Sequence, residues 1–197
     1  PNHLKPLYPK VEGFTDFHEL IAPADLHALV IATSAPTHYG MAKATLLAGK
    51  HVFIEKPMAT SSAECDELVQ LATARGLTLM VGHTFLYSAP VRRIKEIITA
   101  GDIGELRYIH ARRLNLGLFQ RNINVTWDLA PHDISIILYV TGLFPRSVNC
   151  QGNSHITKGI EDVTTMSMNF ESGIFAPLQK RSLDPRRDFS RIIGVER

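Results

Sequence analysis

Three short apolar runs, residues 27–33, 51–54 and 77–81, are separated by stretches long enough to be helices, and this spacing constrains the fold more than any other feature. The middle run is the sharpest. His51-Val52-Phe53-Ile54 lies between Gly49 and Pro57, so it reads as a buried strand that proline breaks off for want of a ladder N–H. Between the runs, Met41, Ala44, Leu47 and Ala48 recur at helical spacing in a helix over 38–48. Ser61-Ser62-Ala63-Glu64 offers a capping signal for a second helix over 62–75, with Gly76 at its end. Upstream, residues 14–21 suggest a short strand and a helix opened at Thr15 or Asp16. Strand and helix in alternation imply a parallel sheet of the dinucleotide-binding type.

From Pro90 the pattern changes. A helix over 91–100 carries Val91, Ile94, Ile97 and Ile98 on one stripe and stops at Gly101. Strands then dominate, at 105–114, 146–151, 162–170, 173–178 and 188–195, with a hairpin turn at Glu171-Ser172-Gly173. One helix interrupts them: its first turn takes Pro131, residues 133–141 pack on one face of the sheet, and Gly142 stops it. The fold class is therefore α/β plus α+β. A partial parallel sheet over 1–88 precedes an incomplete, largely antiparallel sheet domain over 89–197.

At 45% hydrophobic and 20% charged residues the chain has the composition of a globular protein. A formal charge of +2, with basic residues only in pairs such as Arg112-Arg113 and Arg186-Arg187, argues against nucleic acid and acidic membranes as partners. Cys65 and Cys150 have no CxxC spacing, which suggests reduced thiols and a cytoplasmic setting. No apolar stretch approaches the ~20 residues of a membrane span, and no signal pattern opens the sequence. His3, His18, His27, His110 and His155 form no ligand spacing, so no metal site is expected.

Two segments carry candidate chemistry. Lys56 follows the carboxyl end of the 51–54 strand, the edge where ligands sit in sheets of this kind, and reads either as an acid/base group or as an exposed lysine. Asp128 and His132 are four residues apart, so they share a helix face on which the carboxylate sets the tautomer of the imidazole. Lys56 must turn toward a cleft within one residue. Since an X–Pro bond favours trans by only about 0.5–1 kcal/mol, a cis Lys56–Pro57 bond is expected.

With Glu55-Lys56-Pro57 and Asp128-xxx-His132 as anchors, the sequence resembles the glucose-fructose oxidoreductase, inositol dehydrogenase and MocA family. The likeness extends through Ile31-Ala32-Thr33, Thr37-His38-Tyr39, Leu47-Ala48-Gly49-Lys50-His51, Met80-Val81-Gly82-His83 and Arg113-Leu114-Asn115-Leu116-Gly117. It implies an oxidoreductase that uses NAD or NADP to oxidise a hydroxyl of a sugar, polyol or nucleotide sugar, with Lys56, Asp128 and His132 as catalytic residues. Thr33, Ser34, His38, Glu55, Lys56 and His83 are then cofactor contacts, although His83 reads equally as a structural loop histidine. Arg113, Asn115 and Arg121 are substrate contacts or ordinary surface residues. The resemblance also implies a homo-oligomer, dimer or tetramer, in a complete protein truncated here at both ends.

The GxGxxG turn and following acid of a dinucleotide site are absent from these residues. NAD(H) binding by this stretch alone is accordingly expected to be weak. The run at 27–33 is expected to form an unpaired apolar edge. A cofactor-free relative serving as a binding or assembly module is the alternative reading.

Overall fold

The computed structural model describes residues 6–114, 123–181 and 189–195. It divides into two compact units between Gly82 and His83. The turn Thr84–Tyr87 packs on helices of the second unit and so belongs with it.

The first unit opens with α1 (Phe17–Ile21), where the Asp16 side chain accepts from the His18 N–H; no strand precedes it among the described residues. It continues through β1 (Ala28–Ile31), α2 (Ala35–Leu47), β2 (His51–Ile54), α3 (Ser62–Ala74) and β3 (Leu79–Val81). The strands are parallel in the order β1-β2-β3, with Ile31 beside Ile54 and Ile54 beside Val81. β1 is an edge of this sheet and its Val30 is 67% exposed, the apolar edge that the sequence implies. α3 starts on a complete capping box: the Ser61 hydroxyl accepts from Glu64 N–H while the Glu64 carboxylate accepts from Ser61 N–H. α2 begins earlier than periodicity indicates, because Pro36 in its first turn lacks only an N–H that has no helical partner there. Ile31, Ala42, Leu46, Val52, Ile54, Leu68 and Ala72 form the core. Each large aliphatic side chain there contributes about 1.5–3 kcal/mol by leaving water.

The second unit contains α4 (Ala89–Ala100), β4 (Glu105–Leu114), α5 (Val125–Thr141), β5 (Ser147–Asn153), β6 (Val163–Asn169), β7 (Phe175–Arg181) and β8 (Phe189–Val195). Its sheet has the order β5-β6-β7-β4-β8. All its pairs are antiparallel except β4 with β7, which makes it mixed. Val91, Ile109, Ile137, Val140, Met168, Ala176 and Leu178 belong to the core between α4, α5 and the sheet.

α5 corrects the sequence expectation. It starts at Val125, ahead of the first turn expected at Pro131, and Pro131 lies inside it. The reason is a cap with tertiary support. The Asn124 side chain accepts from Trp127 N–H at 3.0 Å and donates to Glu161 Oε2 at 3.0 Å, while Val125 N–H donates to the Glu161 carbonyl at 2.9 Å. Glu161 belongs to the β5–β6 connection, so contacts distant in sequence carry the helix through a residue that lacks an N–H. Among the described residues no helix is long and apolar enough to cross a membrane.

Candidate active-site residues

In the first unit the candidates gather at the carboxyl ends of β1 and β2. The two loops separate after the Glu55 N–H bonds the Ile31 carbonyl at 2.9 Å. Thr33 and Ser34 are exposed, and Ser34 is the extended N-cap of α2. The Thr33 and Thr37 hydroxyls are 2.7 Å apart. Thr37 also donates to the Ser34 carbonyl at 2.8 Å, and the Thr33 hydroxyl donates to Met41 Sδ at 3.5 Å. Lys56 and Glu55 are half-buried, and the Lys56–Pro57 bond is cis, as expected. Glu55 lies over Gly82: a Cβ built on that glycine would come within 3.1 Å of the carboxyl group.

His38, which the family resemblance makes a cofactor contact, lies between two backbone carbonyls. Its ring is buried, with Nδ1 2.7 Å from the Pro57 carbonyl and Nε2 3.0 Å from the Thr33 carbonyl. Both ring nitrogens are thus engaged by the chain itself.

In the second unit, Asp128 and His132 occupy the first two turns of α5 and are half-buried. At about 100° per residue, they lie on the face roughly opposite the stripe Ala130, Asp133, Ile137 and Val140, which is buried. Phe85 meets His132 edge-on, with ring centroids 4.9 Å apart, and the Arg113 guanidinium covers the same phenyl ring at 4.8 Å. Arg113 also donates from Nε to both Asp133 oxygens at 3.1 Å. That carboxylate, 3% exposed, is shared with Lys180, 1% exposed.

The geometry of this cluster explains its composition. Arg113 and Lys180 are direct cross-strand partners in the parallel pair β4/β7, where two like charges would repel. Asp133 descends from α5 between them and offsets that repulsion. α5 is thereby tied to both strands one residue after His132.

Sequence reasoning missed Asp133, Lys180 and Phe85. Two of them carried a signal: Asp133 falls in phase with the apolar stripe of α5, and Lys180 falls in phase with the inward-facing Ala176 and Leu178 of β7. A charge repeated on a core phase announces a buried partner.

His83 stands at the start of the Thr84–Tyr87 turn. Its Nδ1 is buried with no hydrogen-bond partner among the described residues, and burial pushes the imidazole pKa down, which favours the neutral ring. Asn115 and Arg121 lie outside the described residues. A cavity of about 520 Å³ opens on another side of α5, lined by Trp127, Ala130, Pro131, Ile134, Cys150 and Met166 among others. Among the described residues, no three His, Cys, Asp or Glu side chains group to hold a metal ion.

Residues 6–83 match the family model described as oxidoreductase family, NAD-binding Rossmann fold, and residues 91–194 match that of the GFO/IDH/MocA C-terminal domain. UDP-N-acetylglucosamine 3-dehydrogenase of Acidithiobacillus ferrooxidans is 32% identical over 170 residues, 86% of this chain and 52% of that protein. Inositol 2-dehydrogenase of Azotobacter vinelandii is 33% identical over 133 residues, 66% of this chain and 39% of that protein. A solved structure of UDP-N-acetylglucosamine 3-dehydrogenase from Acidithiobacillus ferrooxidans has a TM-score of 0.84 at 28% identity, covering 98% of this chain and 62% of that one. The chain spans about half the length of the curated relatives it matches.

The strand-end residues fit part of a nicotinamide dinucleotide. The Glu55 carboxylate over the bare backbone of Gly82, with the Thr33 hydroxyl after β1, offers acceptors for ribose hydroxyls.

Proposed function

Because the chain belongs to the GFO/IDH/MocA family of oxidoreductases, we propose that it serves an NAD-dependent dehydrogenase acting on a hydroxyl of a sugar, polyol or nucleotide sugar. The observation that carries this reading is the joint occurrence of Lys56 at the carboxyl end of a parallel strand and of Asp128 and His132 on one face of α5. Thr33, Ser34, Glu55 and His83 would hold NAD, which when bound supplies the hydride acceptor that no side chain can be. His132 takes the hydroxyl proton, and Asp128, one turn earlier, selects which ring nitrogen carries the imidazole's own proton. The Lys56 ammonium hydrogen-bonds the substrate oxygen and stabilises the developing alkoxide. Arg113, Asn115 and Arg121 contact the rest of the substrate.

The test is NADH formation with a panel of polyols, sugars and nucleotide sugars. Lys56→Met and His132→Asn are each expected to lower kcat by roughly 10²–10⁴. Turnover within a few-fold of the parent removes that residue from the mechanism. Absence of NAD reduction with every alcohol, alongside tight retention of one of them, favours a binding module instead.

A further inference from the structure

We propose that His38 is a positioning residue for Lys56, clamping the turn that carries the lysine to the loop that leaves the neighbouring strand. The proposal rests on the reading of Lys56 as a group that acts on substrate. β1 and β2 run side by side and their ladder ends at Ile31 and Ile54. Beyond that point a parallel sheet has nothing to hold its outgoing loops together. The His38 ring fills this gap from the first turn of α2, 1% exposed, touching carbonyls five and nineteen residues away in sequence. A carbonyl only accepts, so each contact is a hydrogen bond whenever the facing ring nitrogen carries its proton.

Holding the Pro57 carbonyl constrains Lys56 directly. Between that oxygen and the Lys56 Cα lie the ψ and φ of Pro57 and the Lys56–Pro57 peptide bond. The pyrrolidine ring locks φ, and the peptide is planar. One soft dihedral, ψ of Pro57, is left, and it is the one a bond to the carbonyl restrains. An amide side chain, whose polar atoms sit together at one end, cannot reproduce this arrangement, because Thr33 and Pro57 lie on opposite sides of the ring. Gln reaches one carbonyl and leaves the other to water or to nothing.

The experiment reads Lys56 itself. The full chain is reductively methylated with ¹³C-formaldehyde, and the Lys56 resonance is assigned by its loss in Lys56→Arg. In His38→Gln and His38→Ala the Lys56 signal is expected to shift by more than any other lysine signal. Leu46→Ala, a buried change two turns farther along the same helix that removes no polar contact to either loop carbonyl, is expected to lower stability and leave the Lys56 signal in place. With an accepted substrate, His38→Gln is expected to reduce kcat roughly tenfold or more while KM stays within about twofold, the mark of a misplaced reacting group. An unmoved Lys56 signal in folded His38 variants overturns the proposal. So does an equal movement in Leu46→Ala. Full turnover in Lys56→Met instead defeats the catalytic reading, and leaves the dependence of the Lys56 signal on His38 to be judged by itself.

Discussion

The turn that carries Lys56 and the helix that carries His132 are held by opposite means. The Lys56 turn leaves the end of a strand, where backbone pairing stops, and a buried imidazole set between two carbonyls takes over. The His132 helix has its own internal hydrogen bonds and needs only to be fastened to the sheet, which a buried carboxylate between two basic side chains does. A loop must be tied through its backbone because its backbone is what is loose. A helix can be tied through one side chain because it moves as a rod. The two arrangements also differ in cost: a buried ion cluster tolerates no missing member, whereas a carbonyl that loses one donor gives up a single hydrogen bond.

Breaking the ion cluster is therefore the largest expected effect. Asp133→Ala takes from adjacent Arg113 and Lys180 the buried carboxylate that they share, and about 3–5 kcal/mol of stability should be lost from the second unit. Urea unfolding followed by Trp127 fluorescence reports on that unit, since Trp127 is the only tryptophan. His38→Ala, in the first unit, should cost about 1–3 kcal/mol by circular dichroism. Equal losses at the two positions would erase the contrast. A triple change, Asp133→Leu with Arg113→Met and Lys180→Met, should recover much of the Asp133→Ala loss, because matched apolar groups remove the desolvation penalty along with the attraction.

A smaller effect is expected at Phe85, which stands between the Arg113 guanidinium and the His132 ring. Phe85→Leu keeps most of the bulk and removes the aromatic faces, so stability should fall by only about 0.5–1.5 kcal/mol. Turnover should fall further than stability if His132 relies on that edge contact for its orientation. A kcat that tracks folded fraction alone would show that the ring is merely packing.

The smallest effect concerns acid. At Asp162 burial pushes the carboxyl pKa up, but hydrogen bonds from the His155 ring and from the His155 and Ile156 N–H groups outweigh it and hold the pKa below the ordinary 3.8. A carboxyl with a depressed folded pKa binds fewer protons folded than unfolded. Its stabilisation is thus fully present above about pH 4 and is lost as pH falls through the lower folded value. Unfolding midpoints at pH 7 and pH 3 should differ less in Asp162→Asn than in the parent. An unchanged difference would mean that the loop after β5 contributes nothing to acid lability.

Local signals were legible where all their parts lie within a few residues. β2 at His51–Ile54 and β4 at Glu105–Leu114 occupy the ranges that the sequence implies, the first because Gly49 and Pro57 bracket it. The Ser61–Glu64 capping box and the αL glycines closing α4 and α5 were equally readable, since a cap is a chemical unit of a few side chains and N–H groups. The start of α5 was not, because the Asn124 cap is reinforced from Glu161, thirty-seven residues away. The parallel β4/β7 pairing and the Arg113–Asp133–Lys180 cluster were beyond local reading for the same reason: their members are brought together across 20 to 67 residues. His38 shows the division in one side chain. Its place in the first turn of a helix follows from sequence, but its contacts to the Thr33 and Pro57 carbonyls were decided only when β1 and β2 pair. Propensity and capping act over one turn, whereas burial and pairing depend on which distant segments exclude water together, and that is settled only by the folded chain.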